Sequence, residues 1–142
     1  MNEGRFRRLR NYRKDLELER KKFEEEEMKK HQRTVEVFSP KIEAICKEFA
    51  KGIEWKYEQW KEKHFKLEEW KCAVIEPGFF KTGRIVISLW ASGWIQVGRG
   101  VTIPLDVDSG TFNENALIEA LEEEYKGIVR HGLYLKRLYS KQ

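Results

Sequence analysis

Cysteine is nearly absent from this 142-residue chain: Cys46 and Cys72 are the only two, 26 positions apart and without a CxxC pair. That spacing excludes a disulfide scaffold and does not match the ligand pairs of a structural zinc site. The two read as small buried thiols in a reducing compartment. Long apolar runs are missing too, so no membrane span is expected. The opening MNEGRFRRLRNYRK is charged without the apolar stretch of a secretory leader, which makes the cytoplasm the expected address. Between Arg5 and Arg33 there is no proline or glycine, and so nothing to interrupt a helix.

Patterns that carry chemistry are equally thin. Asp106 and Asp108 close a predicted strand and could share a hard cation, but a calcium loop counted from Asp106 puts glycine at position five instead of six and Leu117 where glutamate belongs. Gly98-Arg99-Gly100 lacks the third glycine and the following helix of a phosphate loop, and reads as a tight turn with Arg99 at its tip. His31, His64 and His131 are isolated from one another and from the cysteines, so no nucleophile has a base at hand in the sequence. No cofactor, no metal and no enzymatic activity are expected. An enzyme is conceivable only where folding assembles Asp106, Asp108 or Cys72 with distant partners.

What the chain has is charge, unevenly placed. Charged residues make up 37% of it, yet the net charge is only +4. Residues 1–14 carry Arg5, Arg7, Arg8, Arg10, Arg13 and Lys14 against Glu3 alone, a net of +5. Residues 15–33 then hold six bases against seven acids, including the run Glu24 to Glu27. At the other end, residues 126–142 have Lys126, Arg130, Lys136, Arg137 and Lys141 and no acid, again +5.

Hydrophobic spacing gives the expected elements. Phe6, Leu9, Tyr12, Leu16 and Phe23 form a narrow stripe on a long charged helix, enough to pack along one line but not to sit in a core. Ser39 and Pro40 look like the cap and first residue of a second, amphipathic helix. Ile42, Cys46, Phe49, Ile53, Tyr57, Trp60, His64 and Leu67 would then continue it at steps of three and four. Gly52 and the alternation of Ile53, Trp55 and Tyr57 argue for strands instead over 53–67; the length of the stripe favours the helix. From Trp70 on, β-branched and aromatic residues separated by Pro77-Gly78, Thr82-Gly83, Ser92-Gly93 and Gly98-Arg99-Gly100 predict an antiparallel meander. Its strands are placed at Trp70–Glu76, Arg84–Ala91, Trp94–Val97 and Val101–Val107. Ile85, Ile87 and Leu89 share one apolar face, while Val86, Ser88 and Trp90 share a mixed one. Thr111 and Glu114 resemble a capping box for a last helix to about His131. The fold class is thus α+β: a charged helical arm over 1–38, then a compact domain over 39–142 of helix, meander of three to four strands, covering helix and basic tail.

Trp55 falls off the helical stripe and Trp90 lies on the mixed face, so both are candidates for a stacking platform or an aromatic anchor, with Tyr12 and Arg99 as further partner contacts. The arginine-rich tip is the strongest functional signal, because guanidinium forks grip phosphate in pairs and stack on bases. The expected phosphate-contacting set is Arg5, Arg7, Arg8, Arg10, Arg13, Lys14, Lys136 and Arg137. The reading is a non-enzymatic protein that binds nucleic acid or a nucleoprotein complex. Its rival is a homodimer or higher oligomer formed as a coiled coil through the first helix. In layout, a basic arm ahead of an α+β core, the chain is similar to some phage-encoded inhibitors of CRISPR nucleases and other small proteins of mobile elements. That likeness covers the order of segments and implies a small regulator or inhibitor.

Overall fold

Strong helix formers run unbroken through the first third of the chain, and the helix they form (α1) spans Glu3–Gly52. The structure is a computed structural model that describes residues 2–60, 66–75 and 82–140, excepting the side chains of Trp60, Val74, Ile75, Thr82 and residues 133–140. The chain divides into two units, Met1–Arg33 and Thr34–Gln142.

In the second unit α1 does not restart at Ser39 and Pro40. Both lie inside the helix, and Ser39 is buried rather than capping an end. Proline in a helix interior costs about 3 kcal/mol. Phe38 and Ile42 straddle it and are buried to 1% and 0% exposure, each contributing about 1.5–3 kcal/mol, so packing offsets the break.

The helix ends where its local geometry changes hand. Glu54 adopts φ 61°, its N–H donates to the Lys51 carbonyl at 3.2 Å, and the Trp55 N–H donates to the Ala50 carbonyl at 2.8 Å. These two bonds make a Schellman stop with glutamate in the left-handed position that glycine usually fills. The expected continuation of the helix to Leu67 is therefore wrong. Beyond the stop the chain forms β1 (Lys56–Trp60) and β2 (Lys66–Ile75), and His64 lies outside the described residues.

Four further strands follow: β3 (Thr82–Trp90), β4 (Trp94–Val97), β5 (Val101–Asp106) and β6 (Thr111–Phe112). They complete a six-stranded antiparallel sheet in sequence order, where three to four strands were expected. Thr82-Gly83, expected as a turn, opens β3; Pro77 and Gly78 lie outside the described residues. The last helix, α2 (Glu114–Ser140), starts from Asn113, whose Oδ1 accepts the Ala116 N–H at 3.0 Å. Thr111 is in β6 and is not the cap, and the helix runs past His131 to Ser140.

Paired residues share a face, so the register assigns every side chain. Trp70 pairs with Ile87 and Cys72 with Ile85, and Leu89 and Ile95 pair next to them. All are fully buried, together with Phe38, Ile42 and Cys46 of α1 and Leu117 and Leu121 of α2. Both helices therefore cover one face of the sheet. Among the described residues no helix is long and apolar enough to cross a membrane.

Two backbone positions test this packing. A Cβ built on Gly83 would lie 2.8 Å from Ile128 and 2.9 Å from the Trp55 ring. Gly83→Ala is expected to destabilise the fold by about 1–3 kcal/mol, measured by urea unfolding. Glu54→Gly relieves the left-handed strain and is expected to stabilise by about 0.5–1 kcal/mol in the same assay.

Candidate functional site

In the first unit every residue from Asn2 to Glu26 is exposed. Steps of three and four put Arg7, Arg10 and Lys14 on one line of the helix. Leu9, Leu16 and Phe23, seven apart, fall roughly on the opposite side with Tyr12 beside them. Leu9 is 62% exposed, Tyr12 64%, Leu16 46% and Phe23 63%.

The cations differ in how they are matched. Arg13 pairs with Glu17 at 3.3 Å, Arg20 with Glu24 at 3.5 Å and Lys30 with Glu27 at 3.5 Å. Arg5, Arg7, Arg8, Arg10 and Lys14 have no carboxylate partner among the described residues. The reason is sequence: the positions three and four residues beyond Arg5, Arg7, Arg8 and Arg10 carry no acid, and Glu17, three beyond Lys14, pairs with Arg13 instead.

In the second unit the remaining site residues separate. Trp55 packs at the margin of the core, its ring 5.4 Å from that of Tyr125 at 68°. Trp90 lies on the other face of the sheet, so Trp55 and Trp90 do not form one platform. The aromatic neighbour of Trp90 is Trp94, directly across the β3–β4 hairpin, and Trp94 in turn faces Pro104 on β5. Lys66 pairs with Trp90 from β2, its Nζ 5.5 Å from the ring centroid. The Trp90 indole N–H donates to Gln96 Oε1 at 2.8 Å, which holds the ring against the sheet. Trp94 is 39% exposed. A polar row runs beside this line: Glu69, Ser88, Gln96 and Thr102 on adjacent strands. The Glu69 side chain is only 5% exposed, and Lys66 Nζ lies 3.3 Å from its Oε2. The sequence singled out neither Trp94 nor this row, since only the register of two hairpins brings them together.

Arg99 is exposed in the turn between β4 and β5. Gly98 there has φ 60°, and the Glu124 carboxylate of α2 sits where its Cβ would be, at 2.6 Å. Lys136 and Arg137 belong to α2, with side chains outside the described set, and Lys141 lies wholly outside it.

Asp106 and Asp108 form a structural turn. Asp106 Oδ1 accepts the Ser109 N–H at 3.2 Å, and the Asp106 carbonyl accepts the Gly110 N–H at 2.9 Å. Among the described residues no three His, Cys, Asp or Glu side chains converge as metal ligands would. Comparison with known proteins adds no relative: no protein-family model, curated protein or solved structure matches this chain.

Cys46 and Cys72 are free and buried. The Cys72 thiol points at the Cys46 carbonyl, Sγ to O 3.7 Å. Burial pushes the Cys72 thiol up to about 11. Burial first, then the neighbouring Cys72 and Glu43, hold the Cys46 thiol well above its ordinary value. Burial and then Glu43 raise the adjacent Tyr57 phenol as well. None of these groups is poised as a nucleophile near neutral pH. The fold favours the neutral thiols, so their contribution to stability is intact below the unfolded thiol's pKa and fades as pH climbs from about 9 towards 11. Neither thiol is expected to react with Ellman's reagent at pH 8 until urea unfolds the protein; reaction at full native signal would contradict their burial.

Proposed function

We propose that this protein binds nucleic acid, free or within a nucleoprotein complex, through the arginine-rich first unit, and performs no reaction on it. One observation carries the reading: Arg5, Arg7, Arg8, Arg10 and Lys14 are exposed, clustered within ten residues and without a carboxylate partner among the described residues, whereas Arg13, Arg20, Lys30 and Lys47 farther along the same helix each have one.

That placement works against the helix itself. The first turns of a helix carry the positive end of its dipole, so cations there are disfavoured. Arg5 with Arg8, Arg7 with Arg10 and Arg10 with Arg13 repeat like charges three residues apart, which is also unfavourable. A polyanion reverses both terms, because phosphates neutralise the guanidiniums and each contact releases condensed counterions. Arginine outnumbers lysine five to one over residues 5–14, which suits paired contacts to phosphate oxygens. On the second unit, Trp94 and Trp90 with Lys66 beside them offer a surface on which a base could stack.

The test is a titration of duplex and single-stranded DNA and RNA oligonucleotides across a salt series. Replacing Arg7, Arg10 and Lys14 together by alanine is expected to weaken binding at least tenfold at low salt. It should also reduce the slope of log K against log salt by about 2–3, since three phosphate contacts are lost. Unchanged affinity and slope in the triple variant would overturn the reading.

A further inference from the structure

We infer that the first unit pairs with the same segment of a second copy of this chain, antiparallel and centred near Leu16. This inference goes beyond phosphate binding: it engages the apolar line with Arg5 and Arg8 and leaves Arg7, Arg10 and Lys14 to phosphate.

The apolar line is symmetric about its middle. Leu9 lies seven residues before Leu16 and Phe23 seven after. In an antiparallel pair crossing at Leu16, residue 9 faces residue 23 of the second copy and Leu16 faces its own counterpart. Three contacts along this apolar line of the helix are thus covered from both ends. No other occupant within the unit is available, since all three side chains remain at least 46% exposed.

Charge selects the orientation. The same symmetry sets positions 5–8 beside positions 24–27, so the basic tip of each copy meets the acidic run of the other. A parallel pair would instead set Arg5, Arg7 and Arg8 against themselves and Glu24 to Glu27 against themselves. Helical spacing sharpens the match, because Arg8 and Glu26 fall on the same flank of the apolar line, eighteen residues or five turns apart. Glu25 and Glu26 have no cation partner among the described residues, whereas Glu24 and Glu27 do. Arg8 and Glu26, each unmatched within its own copy, are thus brought within reach of one another across the pair.

The pairing leaves Arg7, Arg10 and Lys14 on the outer side. Both copies keep that line open to phosphate, and a dimer presents it twice, which raises avidity for a polyanion long enough to reach both. The seam has few apolar layers, so its strength depends on the flanking charges and on ionic strength.

Sedimentation equilibrium of the full chain, without nucleic acid, tests the inference. A dimer is expected at low salt, dissociating at least tenfold more readily at about 0.5 M salt, where the Debye length is a few ångströms. Arg5→Glu with Arg8→Glu is expected to weaken the dimer at least tenfold, as is Glu26→Arg with Glu27→Arg, and the chain with all four changes should recover it. For orientation, Arg5→Cys mixed with Glu27→Cys should form the crosslinked dimer under mild oxidation, while Arg5→Cys alone should not. Cys46 and Cys72 are buried and stay silent. A monomer at all concentrations, a four-change chain as weak as either parent, or self-crosslinking of Arg5→Cys as fast as the mixture would each overturn it. The Arg7, Arg10 and Lys14 triple variant should still dimerise, so failure of phosphate binding and failure of pairing are read separately.

Discussion

The second unit depends on covering one apolar face of its sheet. Strands β2 to β5 present Trp70, Cys72, Ile85, Ile87, Leu89, Ile95, Val97 and Ile103 on that side, all at 2% exposure or less. An antiparallel sheet left bare there would expose a patch large enough to aggregate. Two helices solve the problem from opposite ends of the chain, through Phe38, Ile42, Cys46 and Ala50 from α1 and Leu117, Ala120 and Leu121 from α2. The irregular features of the fold follow from this requirement. Pro40 is carried inside a helix because the residues around it are needed on the sheet. The Schellman stop at Glu54 brings Trp55 back onto the core, and Gly83 must be bare because Trp55 and Ile128 occupy the space of its Cβ.

No such constraint acts on the first unit, where helicity is local. Its residues have high helix propensity, and Arg13–Glu17 and Arg20–Glu24 add support four residues apart. Each such exposed pair contributes only a few tenths of a kcal/mol. Burial does not explain why this segment keeps Leu9, Tyr12, Leu16 and Phe23 in line while clustering arginine at one end. A helix needed only as a solvated extension would be better stabilised with acids rather than arginines in its opening turns, to complement the positive end of its dipole. The observed order is the less stable one, which locates the reason for it outside the helix.

The sequence was informative where a single periodicity decides. The alternation of Ile85, Ile87 and Leu89 with Val86, Ser88 and Trp90 identified the inner and outer faces of β3, and the bounds of β4 were readable between two glycine turns. It misled where tertiary packing overrides a local signal. Ser39 and Pro40 carry the chemistry of a helix start, yet lie within one because Phe38 and Ile42 are buried together. The stripe from Ile42 onward continues past the true helix end, since Tyr57 is inward on β1 by strand alternation and Leu67 reaches the core at the β-bulge between Lys66 and Glu68, and both merely coincide with a helical period. The stop itself uses glutamate at a left-handed position, which no composition rule flags. The arginine cluster and its lack of nearby acids are visible in the sequence alone. The line of Lys66, Trp90, Trp94 and Pro104 is not, because it runs across four strands.

Charge on the first unit is segregated in two directions at once. Along the axis, bases precede acids; around it, Arg7, Arg10 and Lys14 stand apart from the apolar line, which Arg5 extends and Arg8 and Glu26 flank. Segregation along the axis alone would suit either a polyanion or a second copy, and the two would compete for the same guanidiniums. Segregation around the axis removes that conflict. The apolar line and its flanks can be satisfied by an antiparallel copy while the outer line stays available. Pairing aids phosphate binding only by presenting that outer line twice to one long polyanion, an avidity that weakens as salt rises.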